Sequence, residues 1–213
     1  MDPFDYKKAY ADLYLPKAKP AIVQVPEMQF IRVSGSGDPN EPDGCYSQAL
    51  SLLYSLTYTI KMSPKAGVDI DGYFAYRVPP LEGLWWQAGG EIDQSRKQDF
   101  HFISMIRQPD FVTKEVFDWA CAQARRKRPE LDFSKATLES YHEGLCVQML
   151  HRGPYDAEAE TLAVMHDFMQ QQGLVRDIGP ARRHHEIYLS DPRRTKPERC
   201  RTVLRIPVKR LEE

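Results

Sequence analysis

The chain has 213 residues, enough for one large domain or two small ones, and a domain of that size removes roughly 70% of its unfolded surface from water. Its 29 lysines and arginines balance 30 aspartates and glutamates, so no overall field draws it to nucleic acid or to an anionic bilayer. No apolar run approaches the roughly 20 residues that cross a membrane, and the charged, aromatic start MDPFDYKKAY is not a signal-peptide core; the expectation is a soluble cytoplasmic protein.

Residues 1–20 mix charges, tyrosines and prolines and read as a short helical arm followed by a linker, its Phe4, Tyr10 and Tyr14 stripe clamping the domain that follows. Residues 21–34 read as two extended pieces broken at Pro26-Glu27, and GSGDPNEPDG as a turn-rich loop. This loop lacks the Lys-Ser/Thr of a phosphate cradle. A helix is expected from near Asp43 to Ser63-Pro64, with Leu50, Leu53, Thr57 and Ile60 on one stripe and Tyr46, Tyr54, Tyr58 and Met62 on another. GYFAYRV is expected as a strand, PPLEGLWWQAGGEIDQ as a loop and DFHFISMIR as a strand. Thr113 then caps a helix that ends in RRKR, cations suited to the negative end of a helix dipole. The second half supplies the strand GLCVQMLHRGPYD, the helix AEAETLAVMHDFMQQQ with Gly173 at its end, the strand HHEIYLSDP, a basic loop and the strand TVLRIPVK.

Each half therefore has the order strand, helix, strand, strand. The fold expected is α+β: duplicated strand-helix-strand-strand units forming an antiparallel sheet, with two helices flanking a ligand cleft, over residues 21–213. HHEIYLSDP raises the functional question. Alternation sends His185, Ile187 and Leu189 to one face and Glu186, Tyr188 and Ser190 to the other. Glu186 is a solvated decoration if only the Ile/Leu face is buried, and a carboxylate at the bottom of the cleft if the other face meets the helices; periodicity leaves both open. A desolvated carboxylate there would be a counter-ion for a cationic ligand or a base for water.

HRGPYDAEAETLAVMHDFM, HEIYLSDP and TVLRIPV resemble the strand, Gly-x-Tyr turn, second helix and last two strands of GyrI-like small-molecule-binding domains. The resemblance extends over roughly residues 21–209 and implies that Glu186, at the glutamate of the family's E-[IVL]-Y pattern, sits at a pocket base. GYFAYRVPPLEGLWW, MIRQPDFVTKEVF and HHEIYLSDPRRTKPE resemble a stand-alone bacterial branch linked to hydrolysis of cyclopropane-bearing DNA alkylators. In that branch the glutamate positions or activates water and aromatic walls hold the substrate. No helix-turn-helix extension is recognisable, which turns expectation from transcriptional control toward sensing or hydrolysis.

The resemblance makes Glu186 the candidate catalytic residue and favours Trp85, an aromatic after Gly-Leu, over Trp86 as a ligand contact. Tyr54 and Tyr58, one helical turn apart, are candidate pocket walls or packing residues. Tyr76 is a further ligand candidate whose facing the flanking prolines leave open, and Tyr155 matches the family's turn tyrosine, with packing and ligand contact as its two readings. Met105 and Met149 read as core fillers. The six histidines form no metal-binding spacing, since His184-His185-Glu186 is not HExxH. There is no GxSxG, and Cys45, Cys121, Cys146 and Cys200 read as reduced structural thiols. The expected partners are small hydrophobic or cationic aromatic ligands, with no cofactor, no nucleic acid and no membrane; oligomeric state is left open. Three functions follow: cofactor-free hydrolysis of cyclopropanoid genotoxins, sequestration of cationic drugs, and modulation of a gyrase-type topoisomerase.

Overall fold

The computed structural model describes residues 2–89, 92–191 and 194–211. After two short arm helices, α1 (Tyr6–Ala9) and α2 (Ala11–Tyr14), come β1 (Ala21–Ser36), α3 (Cys45–Lys61), β2 (Leu81–Trp86), β3 (His101–Arg107), α4 (Lys114–Lys127) and β4 (Ala136–Arg152). The chain then forms α5 (Glu158–Gln171), β5 (Leu174–Arg176), β6 (His184–Tyr188) and β7 (Arg201–Arg210). The α+β class and the antiparallel pairing agree with the sequence reading, but the sheet is not open. Its strands run β4-β1-β3-β2-β6-β7, and β4 pairs again with β7, from Cys146↔Pro207 to Arg152↔Arg201. Six strands thus close into a barrel, which removes the edges that an open sheet would have to protect. β5 adds only to the C-terminal end of β7.

Three further expectations are corrected. GYFAYRV forms no strand: Gly72 takes a left-handed φ of +72°, and Tyr76 makes only an isolated bridge to Phe4 of the arm. The strand is LEGLWW, assigned above to a loop, because its residues are buried on both sides between β3 and β6. β1 likewise runs unbroken through Pro26, its pairing with β4 passing from Val25↔Gly144 to Glu27↔His142 so that the missing N–H is not required. Thr113 caps α4 by accepting from the Val116 amide, and Gly173 follows α5 with φ +64°.

Closure gives the six barrel strands an inward face, and the helices cover part of the outward one. Phe30, Leu84, Met105, Cys146, Ile187 and Val203 point into the barrel, together with Leu13 and Tyr14 from α2. The opposite faces carry a core under α3 and α4, including Ile31, Leu53, Leu56, Trp85, Phe102 and Phe117, and another under α5, including Val147, Met165, Leu204 and Ile206. The barrel also holds charge. His185 places Nδ1 3.0 Å from both Glu143 oxygens and Nε2 3.0 Å from Glu82 Oε2. Arg205, fully buried, donates from Nη1 to Glu143 Oε2 (3.1 Å), from Nε to Gln148 (3.0 Å) and from Nη2 to the Leu13 carbonyl (2.8 Å). Tyr14 donates to Glu82 Oε1 at 3.2 Å. This network ties β2, β4, β6, β7 and the arm together.

Candidate functional site

Because α3 packs chiefly on β1 and β3, and α5 on β4 and β5, the outer faces of β2 and β6 lie between the two helices. The result is a cavity of about 1550 Å³ walled by Tyr46, Tyr54 and Tyr58 of α3 and by Leu162 and His166 of α5. Its floor is Trp85 of β2 with His184, Glu186 and Tyr188 of β6. Glu186 therefore points outward from the barrel and into the cleft, its side chain 13% exposed, while His185 and Ile187 point inward. The alternation in the sequence was right about which residues share a face; the barrel buries both.

A relay of hydrogen bonds orients the floor carboxylate. Trp85 Nε1 donates to the Tyr188 hydroxyl (2.8 Å), which donates to Glu186 Oε2 (2.8 Å). Gly83, paired with Glu186 across the β2–β6 ladder, makes the relay possible. A Cβ there would lie 2.7 Å from Trp85 Nε1 and 3.1 Å from the Tyr188 hydroxyl, closer than side chains tolerate. Tyr155 meets Tyr188 edge-on at 5.9 Å, and Tyr46 leans on Trp85 at 5.4 Å; such pairs contribute about 0.5–1.5 kcal/mol each beyond their area. Burial and the charge of Glu186 push the hydroxyls of Tyr46 and Tyr188 well above the usual tyrosine range, so both stay protonated.

Glu158, the first residue of α5, is 4% exposed and shares the floor. Donor atoms of Glu158, His184 and Glu186 all lie within 4.8 Å of one another, with His184 Nε2 3.3 Å from Glu186 Oε1. Burial, then the charges of Glu186 and Asp156, raise the Glu158 carboxyl well above the ordinary range. A helix start favours a charged carboxylate by only about 0.3–1 kcal/mol, and those effects outweigh it. Among the described residues no lysine or arginine forms an ion pair with either glutamate. Donor atoms so placed could bridge a cation or share a proton.

Of the residues singled out from sequence, Glu186, Trp85, Tyr54, Tyr58 and Tyr155 line this one cavity. Tyr58, 48% exposed, lies at its edge near Lys61. Tyr76 does not line it. It is 1% exposed within an aromatic cluster of Tyr6, Tyr73, Phe74 and Phe111, because the segment expected as a strand folds against the arm instead. Sequence reasoning missed Tyr188, Glu158 and His184 as site residues. Tyr188 carried a signal, standing two residues from Glu186 on the same strand face; Glu158 carried none, since AEAETL reads as an ordinary acidic helix start.

Two crystal structures from Listeria innocua are similar over the whole domain. A protein described as a hydrolase is 46% identical with a TM-score of 0.88, covering 97% of this chain and 100% of that one. An uncharacterized conserved protein is 48% identical with a TM-score of 0.92 and the same coverage. The C-terminal domain of EcmrR, at 10% identity and a TM-score of 0.54 over 91% of this chain and 98% of its own, shares the fold. No curated protein matches the chain. Among the described residues no helix is long and apolar enough to cross a membrane. Residues 18–209 match the model of the GyrI-like small molecule binding domain, and the chain belongs to that family.

Proposed function

We propose that the cleft takes flat hydrophobic or cationic aromatic compounds and that Glu186 activates a water molecule to open cyclopropane-bearing genotoxins, without a cofactor, as a cytoplasmic protective enzyme. The observation that carries this reading is the floor carboxylate itself. It lies under aromatic walls, is oriented on one oxygen by Tyr188, and has no lysine or arginine ion-pair partner among the described residues. Opening a strained, activated ring needs a positioned water and modest base assistance, and aromatic faces hold a planar substrate over it. The Listeria innocua relative described as a hydrolase lends support. On this reading residues 1–20 are an arm serving a domain of residues 21–213, whose two halves repeat one strand-helix-strand-strand unit around the cleft, and nucleic acid is not a direct partner.

The test is mass spectrometry of a cyclopropane-bearing alkylator incubated with the protein and with Glu186→Gln. A water adduct formed by the wild type and lost in the variant is the expected result; equal adduct from both removes Glu186 from the chemistry. A second reading, sequestration of cationic drugs, is favoured by the two glutamates beneath the aromatic walls. It predicts binding without adduct, and calorimetry would then show Glu186→Gln weakening cations while sparing neutral ligands.

A further inference from the structure

Among the described residues, the lysines and arginines that line the cavity are Lys97, Arg128, Arg176 and Arg183. Two of them are paired, Lys97 with Asp156 at 3.1 Å and Arg128 with Glu130. Arg176 and Arg183 have no carboxylate partner among the described residues. The acid nearest to them in the chain, Asp177, is already taken by Arg182 at 2.5 Å and Lys209 at 3.8 Å. The unpaired two belong to one end of the cavity. Arg176 closes β5, where it pairs with Val208 of β7 and shares the strand face of Leu174, a residue of the core under α5. Arg183 stands immediately before β6, and Ile178 and Gly179 of the intervening turn line the same wall.

Arg183 is held in place without being satisfied. Its guanidinium lies 4.6 Å from the centre of the Trp86 ring, and Trp86 stacks in turn on His101, with centroids 5.5 Å apart and planes 13° from parallel. Contact through the flat face fixes a guanidinium while leaving the N–H groups along its edge free, and those of Arg183 donate to no described residue. The side chain is half-buried, so part of its hydration is lost and not replaced, which is unfavourable until an acceptor arrives. A planar fork of donors on a cavity wall matches a planar oxyanion through two parallel hydrogen bonds. Glu186 is three residues further along β6, roughly 10 Å away at the rise of a strand. The cavity thus has an acidic floor and a basic end.

We propose that this basic end is a subsite for a carboxylate carried by an aromatic ligand. Arg183, stacked on Trp86, takes the carboxylate through its paired N–H groups, and Arg176 adds a second positive charge beside it. The proposal rests on the reading that the cleft holds planar compounds, but not on any turnover. It extends the ligands to aromatic acids and zwitterions whose acid group reaches roughly 10 Å from the part lying over Glu186.

The test is fluorescence titration of 1-pyrenebutyrate and of its methyl ester, one flat uncharged body with and without the anion. The proteins are wild type, Arg183→Gln, Arg183→Lys, Arg176→Gln and, as a control for overall charge, Arg126→Gln in the last turn of α4, outside the cavity. Wild type is expected to bind the acid about tenfold more tightly than the ester, the worth of hydrogen bonding to a charged group. Arg183→Gln should bring the acid down to the affinity of the ester. Arg183→Lys, which keeps the charge and loses the fork, should fall between the two, and Arg176→Gln should weaken the acid about threefold, as an exposed charge does. Ester affinity should hold in the Arg176 variant, and Arg126→Gln should keep the wild-type ratio. An acid bound no better than the ester by wild type, or a preference that survives in both Arg183 variants, overturns the subsite, while binding of the ester preserves the aromatic cleft. Loss of the preference in Arg126→Gln as well assigns it to the overall field and also overturns the subsite. Failure of both probes to bind wild type rejects the subsite together with the cleft reading on which it rests.

Discussion

The barrel interior and the cleft outside it bury the same three side chains, two glutamates and a histidine: Glu82, Glu143 and His185 within, Glu158, Glu186 and His184 without. Their surroundings set them apart. Inside, Arg205 joins the group, so an imidazolium and a guanidinium balance two carboxylates. Burial alone would discharge these groups, but His185 and Arg205 hold the Glu143 carboxyl down at about 2. Likewise Glu143 and Glu82 overcome the burial of His185 and lift it to about 9. Outside, no arginine among the described residues joins, and Glu158 is driven the other way. One set is a closed structural tie and the other is left incomplete until something enters the cleft. Adjacent residues of β6, His185 and Glu186, serve the two.

The largest expected effect comes from breaking the inner balance. Arg205→Met leaves a buried carboxylate short of a cation and should lower stability by about 3–5 kcal/mol in chemical denaturation. Glu186→Gln, which relieves rather than creates uncompensated charge, should stay within about 1 kcal/mol of wild type in the same experiment. Equal losses would show that the two clusters are alike. Next in size is Gly83→Ala, which forces a Cβ against Trp85 and Tyr188 and should cost about 1–3 kcal/mol. It should also weaken aromatic ligands and change the near-ultraviolet signal of the indole. A variant that melts and binds as wild type would mean the relay can shift freely.

The smallest effect is in the pH profile of thermal stability. The folded pKa of His185, about 9, lies above its ordinary value of 6.5. Its contribution is complete below 6.5 and disappears as pH rises through about 9. Glu143 is depressed, so its contribution is complete above 4.5 and disappears as pH falls toward about 2. A melting-temperature plateau between those limits is expected, with a decline on each side that Arg205→Met reduces on the acid side.

Much of the architecture was legible locally. Of the stripe Leu50, Leu53, Thr57 and Ile60, the last three are buried in α3 and Leu50 is half-buried; Thr113 caps α4, and residues 184–188 form a strand whose alternation groups Glu186 with Tyr188. GYFAYRV was misread because aromatic, β-branched-like composition reports a half-buried surface rather than a strand, and these aromatics pack against the arm. LEGLWW was missed because a strand buried on both faces loses its alternation, and its Gly83 reads as a loop signal when it answers to a close approach of two side chains.

The sequence by itself determined the helices, most strands, the shared face of Glu186 and Tyr188, and an aromatic set rich enough to wall a pocket, since these follow from periods of 3.6 and 2 along the chain. Only the tertiary structure decided that β4 returns to β7. That one pairing, between segments about 55 residues apart, buries both faces of β6. It sends His185 to an arginine and Glu186 to an open cleft, and brings Glu158 from another element to within 4.8 Å of it. Neighbours in sequence fix which way a side chain alternates; what it meets there is fixed by distant strands and helices.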